Sequence, residues 1–163
     1  MRKKCLLALT LLLLLALWGC TAGQEEPEGA YQLYFTRSWS DRYGSALGTQ
    51  SWEGEGPPDP QSLMQALLAG PTAEGLSSPF PKGAVVQSME MDAEEGILRL
   101  TMSEQYGDLT DISQTLADAC IVLTGCQLPG VDAVEISTSG FWASRLPSRL
   151  LTPESFELEA LIP

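Results

Sequence analysis

The chain has 163 residues, nine Lys/Arg against 21 Asp/Glu, no histidine and a net charge of −12. Without histidine it lacks the ordinary general base of neutral pH, the commonest zinc ligand and the familiar Ser/His/Asp triad. Its acidity repels phosphate backbones, whose affinity for proteins comes from Lys/Arg, so nucleic acid is not an expected partner.

The N-terminus reads as a targeting signal. Arg2, Lys3 and Lys4 lead into an apolar stretch from Cys5 to Trp18, closed by the small Gly19 and by Cys20. A basic n-region, a short apolar region and a small-residue cleavage site mark a removed signal peptide. The stretch is too short for the roughly 20 apolar residues that span a bilayer as a helix. Leu17-Trp18-Gly19-Cys20 resembles the lipobox of bacterial lipoproteins, with Trp18 where a smaller residue is usual. That resemblance implies a diacylglyceryl group on the Cys20 sulfur and cleavage just before it. The expectation is a lipoprotein signal peptide over residues 1–19, a membrane contact through lipidated Cys20, and an extracytoplasmic, lipid-anchored location on a bacterial membrane. A plain secreted protein and an uncleaved anchor are the alternatives. Cleavage leaves 144 residues, six basic and 21 acidic, for a net charge of −15. So acidic a chain gains nothing from anionic headgroups, and attachment rests on the lipid. Its length suits one domain with a real core.

Residues 20–29, small, polar and acidic, read as a flexible tether. Tyr31, Leu33 and Phe35 alternate with polar neighbours, the period of a half-buried strand. A weaker β-like stretch spans Ser45 to Glu53 and breaks at Gly54-Glu55-Gly56-Pro57-Pro58. Asp59-Pro60 supplies an N-cap carboxylate and a proline at the first helical position. Leu63, Met64, Leu67 and Leu68 then form one helical stripe, ended by Gly70-Pro71. A strand over Ala84–Met91 should put Val85 and Met89 on one face with Val86 opposite. It turns at Asp92–Gly96 and returns through Ile97, Leu98, Leu100 and Met102. The turn carboxylates lack the ligand spacing of an EF-hand loop and read as loop solvation, so no metal is expected.

Asp111 and Gln114 stand three apart, as in a capping box. The helix that follows carries Ile112, Leu116, Ala119, Cys120 and Leu123 on one side, and Ile121-Val122-Leu123 is apolar nearly all round. Cys120 and Cys126, six helical residues apart, would sit about 9 Å from each other. That is beyond the roughly 7 Å a disulfide reaches, unless Gly125 breaks the helix. Reduced thiols are the expectation and a disulfide the alternative. Val134 and Ile136 then alternate within a third strand over Val131–Thr138, and residues 141–163 form an extension that packs as an edge or trails away. The fold class is α+β, a mixed or antiparallel sheet with two helices packed on one face.

With these elements placed, residues 31–140 resemble the Germane (GerMN) domain of bacterial sporulation and spore-germination lipoproteins. Tyr34-Phe35 matches the aromatic pair of its opening strand, and Ala66-Leu67-Leu68-Ala69-Gly70-Pro71 its helix stop. Pro81-Lys82-Gly83 and Leu98–Tyr106 match its hairpin, and Gln114-Thr115-Leu116 with Val134–Gly140 its closing helix and strand. Thr101 and Ser139 stand where the family more often has Asp. The resemblance implies a Germane-like domain over 30–140, an architecture like ring-building envelope domains, protein–protein assembly rather than turnover, and self-assembly as one form of it.

No catalytic signature accompanies these elements. Lys82 is the one mature lysine and has no Ser-x-x-Lys; no Gly-x-Ser-x-Gly, P-loop or dinucleotide fingerprint occurs. Cys120 and Cys126 have no identifiable activating base. Trp39, Trp52 and Trp142 fall in loop-like contexts and are candidate interaction aromatics, since tryptophan favours interface hot spots and sugar platforms; filling the open ends of the core is the plainer role. The sequence reading is therefore a non-enzymatic, cofactor-free lipoprotein that docks an envelope or sporulation protein. The alternatives are a small glycan- or ligand-binding module and, more remotely, a carboxylate-dependent cell-wall hydrolase.

Overall fold

A computed structural model describes residues 31–38, 45–54 and 56–156, all within the compact unit Tyr31–Pro163. The expected signal peptide and tether, Cys20 and Trp39 lie outside the described residues. Among those residues no helix is long and apolar enough to cross a membrane.

The architecture is the expected α+β, its strands divided between an antiparallel and a mixed sheet. The first sheet has the order β2-β1-β3, with β1 at Gln32–Arg37, β2 at Leu47–Ser51 and β3 at Leu76–Ser77. Alternation places Leu33 and Phe35 of β1 in the core. β2 covers one edge of β1 along its length, but β3 pairs with the other only at Thr36 and Arg37.

Helix α1 runs Pro60–Ala69 and starts as its sequence dictates. The Asp59 carboxylate accepts from Ser62 N at 2.9 Å, and Pro60 occupies the first turn. Gly70 ends it at φ +91, a backbone setting that favours glycine. Leu63, Met64 and Leu67 are buried, whereas Leu68 is half-exposed at the rim of a groove.

The second sheet has the order β4-β5-β6-β7: Val86–Asp92, Ile97–Met102, Ala133–Thr138 and Arg149–Leu151. β4 and β5 form the expected antiparallel hairpin, but its faces correct the sequence reading. A bulge between Val86 and Ser88 inserts one extra residue, so Val86 pairs with Met102 while Met89 pairs with Leu100. Val86, Met89 and Met91 therefore share the core face, and Val85 stands outside at 51% exposure. Strict alternation cannot foresee this, because a bulge shifts the period-two register by one residue.

β5 and β6 are parallel, joined through helix α2 at Asp111–Gly125. The helix cap falls one residue earlier than expected, at Thr110. Its carbonyl accepts from Gln114 N, and the Ser113 hydroxyl folds back to donate to that carbonyl at 2.6 Å. Ile112 is correspondingly outside the packed side, 75% exposed. From Ala117 to Gly125 every residue is buried, because α2 packs against both sheets. Gly125 permits the close approach: a Cβ there would stand 3.3 Å from Val134 and 3.5 Å from Met64.

The end of α2 also completes β1. Tyr34 N–H donates to Thr124 Oγ1 at 3.1 Å and Gln32 N–H to Gln127 Oε1 at 2.8 Å, while Gln127 Nε2 returns a bond to Gln32 O at 2.7 Å. Buried backbone groups must find partners, and a helix laid along a strand edge also blocks strand addition there. β7, within the C-terminal extension, does the same for β6 by pairing with Val134–Ile136. Phe156 beyond it packs on the core.

Candidate functional site

Strand directions define two poles. β5 and β6 both end at one, where Ser139 N–H donates to Met102 O at 2.8 Å, and α2 begins there. At the other lie the hairpin turn, the start of β6 and the end of α2. The chain enters the domain at this second pole, since Gln32 is bonded to Gln127.

The first pole carries an exposed aromatic ridge on the turn after β6. Gly140 adopts φ +66, and a Cβ there would meet the Glu104 carboxylate at 2.9 Å. This bend brings Phe141 N–H to Glu104 Oε1 at 3.3 Å. Trp142 packs against Gly107, where a Cβ would be 2.2 Å from its ring, and donates Nε1–H to Asp108 at 3.1 Å. Phe141 and Trp142 meet edge to face at 4.9 Å, and the Arg145 guanidinium stacks 3.6 Å over the Phe141 ring. Phe141 remains 52% exposed. Val85 joins this pole through its backbone, bonded both ways to Ser103, and Ile112 follows on the first turn of α2. Among the described residues, three of the four exposed large hydrophobics thus border one connection, residues 103–112. Exposed apolar patches of this kind mark interaction sites, and tryptophan and arginine are enriched among hot spots. Beside Val85 opens a groove of about 520 Å³ between α1 and β4, lined by Met64, Leu68 and Met89 with amides of Gln61, Gln65 and Gln87.

Trp52, the second candidate aromatic, sits at the opposite pole. Its backbone N–H donates to Tyr31 O at 2.7 Å, and its ring packs over Gly54 and the core. The fifteen residues of α2, about 22 Å of helix, lie between the ends that hold Trp52 and Trp142. The two described tryptophans therefore form no common platform.

Two ionic clusters flank β5 and β6. On the outer face Arg99 reaches Asp92 and Glu95 at 2.7 Å and Glu135 at 3.1 Å. The hydrogen bond from Arg99 holds the Asp92 carboxyl below the usual carboxylate range. Inside, Asp118 accepts from Tyr106 Oη at 2.7 Å and takes both Nε and Nη2 of Arg149, at 3.1 and 2.9 Å. Burial, with Asp118 beside it, pushes the Tyr106 phenol well up. This clasp ties β7 to α2. It was missed at the sequence level, although an aspartate between Ala117 and Ala119 in an otherwise apolar run signals a buried charge needing a partner.

Cys120 and Cys126 are both free. Burial pushes the Cys120 thiol to about 12 and the Cys126 thiol to about 11, so neither is a thiolate at neutral pH. Among the described residues no three of Cys, Asp and Glu converge on a point where a metal ion could sit.

Residues 32–141 match the family described as Germane, sporulation and spore germination. The first GerMN domain of the sporulation protein GerM from Bacillus subtilis has a similar fold at 17% identity and a TM-score of 0.50, over 68% of this chain and 80% of that one. The tandem GerMN domains of GerM give 15% identity and a TM-score of 0.53, over 68% of this chain and 39% of that one. A candidate lipoprotein from Clostridium perfringens is 22% identical with a TM-score of 0.46, over 76% and 87% of the two chains. A search among curated proteins finds no match.

Proposed function

We propose, from the premise that this chain belongs to the Germane family of sporulation and spore germination, that it is a non-enzymatic, lipid-anchored protein whose domain docks an envelope or sporulation protein. In this reading residues 1–19 are removed, Cys20 carries the lipid and residues 20–29 tether the domain. The observation that carries docking is the ridge of exposed Phe141 and Arg145 with half-buried Trp142, at the pole opposite the chain entry, where Val85 and Ile112 are also exposed. A diacylglyceryl group supplies the two acyl chains that stable anchoring requires. The separation of Trp52 from Trp142 weighs against a shared sugar platform, and the protonated thiols against a cysteine nucleophile.

Photo-crosslinking in cells tests the docking role. A photoreactive residue at position 141 should join one discrete protein, and the same group at Glu94, on the far hairpin turn, should not. No adduct from position 141 overturns the reading. Anchoring is tested separately: Cys20→Ala should leave the detergent phase, and retention there would reveal a different anchor. Purified cell wall should neither carry the protein into the pellet nor be cleared by it; co-pelleting favours the glycan module and clearing the hydrolase.

A further inference from the structure

The chemistry around the ridge narrows the class of partner, an inference that rests on the docking reading. Glu104 and Asp108 bracket the two rings, yet both spend their hydrogen bonds on neutral donors, Phe141 N–H and Trp142 Nε1–H. Among the described residues no basic group lies within 4.0 Å of either carboxylate, nor of Asp111 at the start of α2. Among the described residues Arg99 and Arg149 sit in their own clusters, Arg37 donates to Leu47 O, and Lys82, in the turn before Val85, forms no ion pair within 4.0 Å. Arg145 lies on the ridge itself and demonstrates the chemistry. Its guanidinium lies on the Phe141 face and donates to Phe141 O at 2.8 Å, without pairing to either acid. An aromatic face attracts cations, more strongly as water is excluded, and carboxylates beside it add a salt-sensitive attraction.

From this arrangement we infer that the pole docks a cationic segment of a protein partner, its Lys or Arg stems on Phe141 and Trp142 and its charges against Glu104 and Asp108. Long basic side chains suit such a surface because their stems cover apolar area while their heads stay polar. An anionic membrane or a nucleic acid meets repulsion from the same carboxylates. A second copy of this chain would bring the same uncompensated acids to the contact.

The test titrates the full chain, in nonionic detergent, with two short labelled peptides, one alternating Lys and Leu and the other Glu and Leu. The basic peptide should bind and the acidic one should not. The double variant Glu104→Gln/Asp108→Asn keeps both acceptor oxygens, hence the seat of Phe141 and Trp142, and should weaken binding at least about tenfold. Phe141→Ala should do the same. The variant Glu94→Gln/Asp132→Asn, which removes equal charge at the opposite pole, should bind as the parent does. Equal weakening by both double variants would mean attraction to net charge only and would overturn the inference, as would no binding of the basic peptide. So would self-association abolished by Phe141→Ala, which would identify the occupant as a second copy. Crosslinking at position 141 separates this failure from failure of docking itself. An adduct that survives Glu104→Gln/Asp108→Asn keeps the docking surface and sinks the cationic partner.

Discussion

Arg99 and Arg149 gather carboxylates on opposite faces of one sheet, and the contrast shows what burial does to the same chemistry. Arg99 spreads three pairs across β4, the hairpin turn and β6, on a face washed by solvent. Arg149 makes one two-pronged contact with Asp118, whose side chain is 7% exposed and already bonded to Tyr106. In water, side-chain entropy and salt screening cancel most of an ion pair. In the interior, an unpaired charge is what the fold must avoid, so the cost of removing one partner greatly exceeds the net worth of the pair. The cluster with more bonds is thus expected to matter less.

Removing the cation from the inner cluster should give the largest effect. Arg149→Ala strands the Asp118 carboxylate and should cost about 3–5 kcal/mol in urea unfolding. It should also free β7, seen as faster amide exchange at Leu151 and at the β6 edge. A loss no larger than that for an Arg99 substitution would erase the contrast.

Tyr106→Phe leaves the ion pair but removes one bond to the buried carboxylate. About 1–3 kcal/mol should be lost. An unchanged urea midpoint would mean that water replaces the hydroxyl and that the inner site is wetter than its burial indicates.

A third effect comes from the thiol on the same buried helix. The Cys120 pKa rises from 9.0 to about 12 on folding, which favours the protonated form in the folded state. That contribution is fully present below the unfolded value. It is lost as pH rises toward about 12, because only the unfolded chain releases the proton over that interval. Stability should therefore fall through this alkaline window, and Cys120→Ala should flatten the fall even if its midpoint at neutral pH is lower. An identical slope in the variant would locate the alkaline loss elsewhere.

The outer cluster should respond least. Arg99→Gln should lower stability by less than Tyr106→Phe, and concentrated salt should shrink the difference further. The outer face also contributes an acid-side effect. The lowered Asp92 carboxyl favours its charged form in the folded protein, so that contribution is present above the ordinary carboxylate range and disappears as pH falls through it. Arg99→Gln should reduce the acid sensitivity while leaving the alkaline slope unchanged.

Much of the fold was legible because its signals are local. The alternation of Leu33 and Phe35, the Asp59-Pro60 start and Gly70-Pro71 stop of α1, the hairpin through Gly96 and the alternation of Val134 and Ile136 all report the period of one element. Each is realised. The candidate site was legible only in part. Trp142 was singled out as an aromatic in a turn, but Arg145, Glu104 and Val85 were not, since nothing in their sequence separation announces that they meet.

By itself the sequence determined the α+β class, the family resemblance and an acidic chain without histidine, because composition and hydrophobic period are properties of short windows. Only the tertiary structure decided which face Val85 occupies, that Asp118 finds Arg149, that β7 closes the β6 edge, and that Trp52 and Trp142 stand at opposite poles. One extra residue at a bulge inverts a strand's faces. A buried charge, or a strand edge, is satisfied by whatever the chain brings back from 31 residues away, as Arg149 is brought to Asp118, and no local pattern encodes that return.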